Sequence, residues 1–128
     1  MIKTITQTKP ELFGTGPVLP VSDIVATTNY YCDVLGFTLD FVMGEPPSHG
    51  SVTHGRVGIQ FTNAPSDFSA DHYPGWFYFF VDGIDALYEE YRAKGVNVRQ
   101  DLRSHEHGMR EFEIVDCNGF RLRFGQYI

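Results

Sequence analysis

The chain has 128 residues, of which 42% are hydrophobic and 15% aromatic, so it can bury the core of one compact domain and is too apolar to stay disordered. Sixteen acidic residues against ten Lys and Arg give a net charge of −6, which argues against nucleic acid and anionic membranes as partners. No apolar run approaches the ~20 residues that span a bilayer, and the N-terminus MIKTITQTKPELF lacks the apolar core of a signal peptide, so we expect a cytoplasmic protein.

An internal repeat divides the chain into two modules. A shift of 60 residues aligns VSDIVATTNYY at 21–31 with VDGIDALYEEY at 81–91, and a glycine that suits a left-handed helix C-terminus follows each segment, Gly36 or Gly95. We predict one domain over 13–128 and a loose N-terminal arm at 1–12. The domain is divided into module one at 13–62, a polar linker at 63–75 and module two at 76–128.

Module one begins with a strand in GPVLPV at 16–21, followed by a helix that runs from Ser22 or Asp23 to Leu35. Ser22 and Asp23 are both good N-caps, and apolar residues at helical spacing follow them. The segments GEPPSHG and HGR are turn signals, and they separate three strands predicted at 37–43, 51–54 and 57–62.

Module two repeats this order. A strand in GWFYFFV at 75–81 precedes a helix from about Gly83 to Lys94, with Asp82 as its expected cap. Strands are predicted at 97–99, 110–115 and 120–126, and Asn118-Gly119 marks a hairpin turn. Each module is therefore β-α-β-β-β. The predicted fold class is α+β, a curled mixed sheet that forms a concave cup and carries the helices on its outer face.

Alternation along the strands separates a core face from a cup face. In the last strand Leu122 and Phe124 should pack under the helix, which leaves Arg121 and Arg123 on the cup face. The same reasoning places Gln60, in the fourth strand, on the cup face.

The fifth strand is aromatic on both sides, with Trp76 and Tyr78 on one of them. Such a strand is typical of the centre of a sheet, where neither face meets solvent, or of the wall of an apolar pocket. Both interpretations stay open from the sequence.

Four motifs, in their order and spacing, resemble the vicinal-oxygen-chelate superfamily, which includes glyoxalase I, extradiol dioxygenases, and fosfomycin and bleomycin resistance proteins. The motifs are VLPVSD at 18–23, NYYCDVLGF at 29–37, VDGIDALYEEYRAKGV at 81–96 and GMREFEIVDCNGFRLRFG at 108–125. The second and fourth are similar to that family's FY-x-x-LGF and DPDG-x-x-L-x-F patterns. The resemblance covers about residues 16–126 and implies the paired β-α-β-β-β fold.

Metal-using members of that superfamily bind one divalent ion through four cup residues, one from each of the first, fourth, fifth and last strands. The resemblance places Gly16, Gln60, Trp76 and Arg123 at these positions. A divalent ion needs several anionic or imidazole ligands, and of these four only Gln60 offers an oxygen. The chain therefore looks like the metal-free bleomycin-resistance branch. That branch implies no metal, no cofactor, no catalytic residue, and a homodimer with two ligand clefts at the subunit interface.

We therefore predict a metal-independent protein that binds, and in the manner of that branch sequesters, a small cationic or aromatic molecule. Trp76 would be the stacking platform, with Tyr78 and Gln60 beside it. The alternative for Trp76 is a place in the core or in a dimer interface.

Arg121 and Arg123 would either hold a ligand carboxylate or phosphate, or form an internal ion pair with Glu111 or Glu113. The ion pair is the slightly favoured interpretation. In both cases Glu111 or Glu113 would balance the charge of the cup.

Two other functions stay open. A metal-dependent lyase or dioxygenase of the same superfamily would need a displaced metal site, for which His105 and His107 are the candidates, although a polar loop is the simpler interpretation of these histidines. A dimeric module that binds a protein through exposed sheet edges would need no small ligand. Cys32 and Cys117 lack CxxC spacing and are interpreted as small, partly buried residues.

Overall fold

The computed structural model describes residues 9–128, so residues 1–8 of the predicted arm at 1–12 lie outside the described residues. Residues 9–17 have no regular secondary structure. The elements that follow are β1 (Val18–Val21), α1 (Ile24–Asp33), β2 (Thr38–Met43), β3 (His49–His54), β4 (Val57–Asn63), a 3-10 turn (Ala70–His72), β5 (Phe77–Phe80), α2 (Ile84–Ala93), β6 (Asn97–Ser104), β7 (Met109–Val115) and β8 (Arg121–Tyr127). Over 9–128, no helix has the length and apolarity that a membrane span requires.

Each module has its own four-stranded mixed sheet. The strand order is β1-β4-β3-β2 in module one and β5-β8-β7-β6 in module two. In each sheet the first strand runs parallel to the last strand of its module, and the other neighbours are antiparallel. Helix α1 packs on the first sheet and α2 on the second. The predicted α+β class of two β-α-β-β-β modules with open, curled sheets is confirmed.

The two helices begin in different ways. The Asp23 carboxylate accepts a hydrogen bond from a first-turn amide of α1 at 2.9 Å, so Asp23 is the N-cap. Helix α2 instead begins after Gly83, whose φ of 80° is left-handed, and the predicted cap Asp82 is wrong. Its Ile84 amide donates to the side-chain oxygen of Gln126 at 2.8 Å. A helix cap that a distant strand supplies leaves no signal in the sequence next to the helix.

Two strands of module two also differ from their predictions. β6 continues to Ser104, well beyond Arg99, because it is a mostly exposed edge strand whose polar residues obscure the strand pattern. Among the strands of residues 9–128, β5 lies at the edge of its sheet and pairs only with β8, and Phe80 is 65% exposed. Within one chain, the expectation of a central strand is therefore wrong. Phe79 and Phe80 do border a cavity, which is described below.

Hydrogen bonds between buried residues join the two modules. The Tyr31 hydroxyl of α1 donates to Asp116 Oδ2 at 2.5 Å, and the Tyr91 hydroxyl of α2 donates to the Leu35 carbonyl at 2.8 Å. Burial raises the pKa of Asp116, although the hydrogen bonds from Tyr31 and from backbone amides oppose this change. One continuous hydrophobic core contains residues of both modules. These contacts lie on the side of the sheets that carries the helices, and they hold the two modules together.

Candidate functional site

Six of the seven predicted site residues lie on the face of the second sheet that is opposite α2. Glu113 pairs with Arg123 across β7 and β8, and Tyr78 pairs with Arg123 across β5 and β8. Residues paired in this way point to the same side of a sheet. The intervening Phe112 and Phe124 pack against the tyrosines of α2. We call this surface the Arg–Trp face; its predicted members are Trp76, Tyr78, Glu111, Glu113, Arg121 and Arg123.

Glu113 lies at the centre of the Arg–Trp face. Its side chain is fully buried and accepts hydrogen bonds from Arg121 Nε at 2.9 Å, Arg123 Nε at 3.0 Å and Arg99 Nη1 at 2.9 Å. Burial alone would raise the pKa of Glu113, but the hydrogen bonds from Arg121, Arg123 and Arg99 hold that pKa below its usual value. Of the two carboxylates predicted as partners, the structure thus pairs both Arg121 and Arg123 with Glu113.

Trp76 directly precedes β5 and contacts this cluster. The guanidinium carbons of Arg123 and Arg121 lie 4.5 and 4.9 Å from the centroid of its ring, which are cation–π distances. Trp76 is 46% exposed, so it is not a core residue of the chain. The result is a solvent-accessible wall that is aromatic and cationic.

Glu111 lies on the same face as Glu113 but has different partners. The Tyr78 hydroxyl donates to Glu111 Oε2, and Nε2 of His105 and of His107 lie 3.4 and 3.7 Å from Glu111 Oε1. Burial, followed by the hydrogen bond to Glu111, raises the pKa of Tyr78 well above its usual value. His105 and His107 follow β6 in a turn, and their rings border the Arg–Trp face.

Arg99 was not predicted as a site residue. It is the third cation on Glu113, and it lies beside a bulge in the pairing of β6 with β7. Its neighbour Val98 packs against the core. Because successive residues of a strand point to opposite faces, alternation from Val98 would have placed the Arg99 side chain on the Arg–Trp face. The predicted strand ended at Arg99, and this residue was not considered.

Gln60 belongs to the first sheet and is exposed. It pairs with Ser51, and the hydroxyls of Ser51 and Thr53 donate to Asp40 Oδ2 at 2.8 and 2.7 Å. Within residues 9–128, no hydrogen bond or ion pair links Gln60 to the Arg–Trp face. The structure therefore does not bring Gln60 together with the other six predicted residues.

Three of the four positions that the resemblance assigns to metal ligands carry unsuitable donors here. Gly16 has no side chain, Trp76 offers only an N–H donor, and Arg123 is a cation bound to Glu113. In the part of the chain that the structure describes, no group of three or more His, Cys, Asp or Glu side chains is arranged to hold a metal ion. These residues therefore do not fit the metal of the superfamily.

A separate cavity of about 590 Å³ lies between the modules on the α2 side of the second sheet. Its volume is within the range of small-molecule pockets. Phe79 and Phe124 point toward α2, so the sheet separates this cavity from the Arg–Trp face. The main lining residues are Phe37, His54, Phe79, Leu87, Tyr91 and Phe124.

Similarity to known proteins supports the fold. The profile of the Glyoxalase/Bleomycin resistance protein/Dioxygenase superfamily matches residues 15–124. A glyoxalase-related enzyme from Clostridium phytofermentans is 23% identical with a TM-score of 0.74, and the match covers 95% of this chain and 100% of that one. TioX from Micromonospora sp. ML1 is 19% identical with a TM-score of 0.71, and that match covers 90% and 100%.

A third solved structure, the glyoxalase/bleomycin resistance protein/dioxygenase from Alicyclobacillus acidocaldarius, is 19% identical with a TM-score of 0.74, and the match covers 89% of this chain and 90% of that one. Among curated proteins, none matches the chain significantly. The profile match spans most of the chain and agrees with the β-α-β-β-β repeat, so the chain belongs to the Glyoxalase/Bleomycin resistance protein/Dioxygenase superfamily.

Proposed function

We propose that the chain is a metal-independent small-molecule-binding protein of the bleomycin-resistance type, which sequesters its ligand and has no catalytic residue. The observation that carries this proposal is the Arg–Trp face. It combines an accessible indole with three guanidinium groups, and the resemblance puts two of these residues, Trp76 and Arg123, where a metal-using relative would need imidazole and carboxylate ligands. The unpaired cysteines Cys32 and Cys117 fit the cytoplasmic location that we propose with it.

The ligand that this surface favours is aromatic. A flat ring can stack on the indole of Trp76 or on a guanidinium plane, and both kinds of surface are accessible here. Tyr78 and Glu111 would border the bound molecule on one side. Glu113 would act indirectly, because it is enclosed by Arg121 and Arg123 and positions them.

We further propose that the chain forms a homodimer and that its ligand clefts lie at the subunit interface. One side of β5 has no partner strand among residues 9–128. Phe80 in this strand stacks on Tyr127 with a centroid distance of 5.8 Å, and the two residues are 65% and 72% exposed. Exposed aromatic pairs at a strand edge are typical of interaction sites. In such a dimer, Gln60 would belong to a cleft that the Arg–Trp face of the partner subunit completes.

Metal content and ligand binding together test the proposed function. Untagged protein would be dialysed against zinc, nickel, iron(II) and manganese, and the bound metal measured per chain. A panel of aromatic small molecules and bleomycin-like glycopeptides would then be screened by calorimetry, with and without a chelator. We expect ligand binding that a chelator leaves unchanged. Trp76 is the only tryptophan, so its fluorescence should change on binding.

Trp76→Ala should weaken binding by about tenfold or more, since stacking on one aromatic ring contributes on the order of 1–3 kcal/mol. Tyr73→Ala is the matched control. Tyr73 lies in the linker, its exposure is similar to that of Trp76, and its ring stacks on Phe77. One metal ion per chain that ligand binding requires would overturn the metal-independent mechanism. Equal affinity of Trp76→Ala and the wild type would overturn the assigned site.

A further inference from the structure

We propose that the ligand of the Arg–Trp face is an aromatic anion, an aryl carboxylate, and not a cation. This inference rests on the proposed binding function and specifies the class of molecule. It differs from the expectation of a cationic ligand, because the charge of the face is positive although the net charge of the chain is −6.

The balance of charge on the face is positive. Four arginines lie on this face, because Arg103 pairs with Glu111 across β6 and β7 and joins Arg99, Arg121 and Arg123. They are opposed by Glu111 and Glu113, so the face has an excess of positive charge. A ligand carboxylate would offset part of this excess. A cationic ligand would add to the existing repulsion between guanidinium groups.

The face also exposes its cations and hides its anions. The side chains of Arg99, Arg121 and Arg123 are 45%, 26% and 18% exposed. The carboxylates are enclosed: Glu113 is 0% exposed and Glu111 is 8% exposed. A cation that approached this surface would find no accessible carboxylate to bind, whereas an anion would meet guanidinium groups directly.

The guanidinium groups have spare donors. Each carries five N–H groups, and one carboxylate has about four acceptor positions, so Glu113 cannot satisfy three arginines. Nη1 of Arg121 and Nη1 of Arg123 have no hydrogen-bond partner among residues 9–128. No buried side-chain nitrogen in this range lacks a partner, so these two groups reach solvent. Two accessible guanidinium groups beside one indole can hold a carboxylate while the ligand ring stacks on Trp76.

Three probes of the same shape and different charge test the inference. The affinities of 2-naphthoate, 2-naphthamide and 2-naphthylmethylammonium for the full chain would be measured by calorimetry at low and at high salt. We expect the carboxylate to bind about tenfold or more tighter than the amide, and the ammonium to bind most weakly. The preference for the carboxylate should decrease as salt rises, because screening weakens partly exposed charges.

Two substitutions assign the effect to the face. Arg121→Met keeps an apolar stem and leaves Glu113 bound to two other arginines, and it should remove most of the preference for the carboxylate. Arg110→Met is the matched control, since Arg110 also lies in the second sheet but pairs with Asp85 on the exposed side of α2. Urea denaturation would show whether each variant is folded. If Arg121→Met is unfolded, Arg99→Met replaces it with the same expected result.

Equal or tighter binding of the amide or of the ammonium would overturn the anion inference and leave the binding function intact. Absence of binding by all three probes at millimolar concentration would also overturn the inference. The broader screen described above then decides separately whether the proposed function stands. Loss of the preference in Arg110→Met but not in Arg121→Met would place the anion site elsewhere and overturn the inference as well.

Discussion

Arg123 and Glu113 face each other across β7 and β8 and form two contacts, from Arg123 Nε at 3.0 Å and from Nη2 at 2.8 Å, both to Glu113 Oε1. The contact is one of three that enclose a carboxylate with no exposed surface. The resemblance assigns the position of Arg123 to a metal ligand. In this chain the buried Glu113 carboxylate holds the Arg123 guanidinium group in place, and part of that group faces solvent.

Glu113→Gln should destabilise the protein strongly. The substitution removes the carboxylate that three guanidinium groups share and places amide hydrogens among them, so we expect a loss of about 3 kcal/mol in the free energy of unfolding, measured by urea denaturation. Glu89→Gln on the exposed side of α2 is the control and should change stability by less than about 0.5 kcal/mol. A loss below about 1 kcal/mol for Glu113→Gln would show that the cluster does not depend on its acid.

The same carboxylate should make stability depend on pH in the acid range. The folded-state pKa of Glu113 is lowered, so its contribution is fully present above the unfolded pKa of about 4.3 and is lost as pH falls through the folded pKa. Urea denaturation of the wild type and of Glu113→Gln between about pH 6 and pH 3 would measure this contribution. The stability difference between them should decrease below about pH 4.3. A difference that stays constant or grows as pH falls would contradict the assignment.

The hydrogen bond between Tyr31 and Asp116 should stabilise the contact between modules. Asp116→Ala removes the acceptor of the Tyr31 hydroxyl and of the Asn118 and Phe120 amides, so we expect a loss of about 3 kcal/mol or more. Tyr31→Phe removes one of these three bonds and should cost about 1–2 kcal/mol. Thermal and urea unfolding would measure both, with Tyr73→Phe as an exposed control outside this contact. A larger loss of unfolding free energy for Tyr31→Phe than for Asp116→Ala would contradict this explanation.

Phe80→Asp should shift the proposed homodimer toward monomer. Phe80 is exposed and stacks on Tyr127, so the substitution places a charge in the aromatic patch while removing little buried surface from the chain. Sedimentation velocity would compare the wild type, Phe80→Asp and the control Val25→Asp, which changes an exposed residue of α1. The dimer proposal fails if the wild type is monomeric at concentrations used for ligand binding, or if Phe80→Asp leaves the dimer unchanged.

Gly125→Ala should displace Tyr78 from Glu111. A Cβ atom at Gly125 would overlap the Tyr78 hydroxyl, which is held by its hydrogen bond to Glu111. We expect a loss of about 1–3 kcal/mol, as is typical when a methyl group is forced into a packed site. In a Tyr78→Ala background the same substitution should be close to neutral, since the overlapping atom is gone. Additive effects in this double-mutant cycle would contradict the explanation.

Local sequence determined which side chains face the core and which face the cup. The alternation of Arg121, Leu122, Arg123 and Phe124 is a property of a single strand, because successive residues in a strand point to opposite faces. The glycines after both helices and the turn at Asn118-Gly119 are equally local, since they depend on the conformations that a short stretch of backbone can adopt. The fold class followed from these patterns because they occur twice in the same order.

Tertiary structure alone decided which groups meet. Arg123 binds Glu113 rather than Glu111 because the register of β7 against β8 sets the pairing, and that register depends on the packing of both strands under α2. Gln126 caps α2 for the same reason, as a residue brought from another strand. Gln60 is separate from the Arg–Trp face because the arrangement of the two sheets is set by contacts such as that of Tyr31 with Asp116, between residues 85 positions apart, which no local pattern encodes.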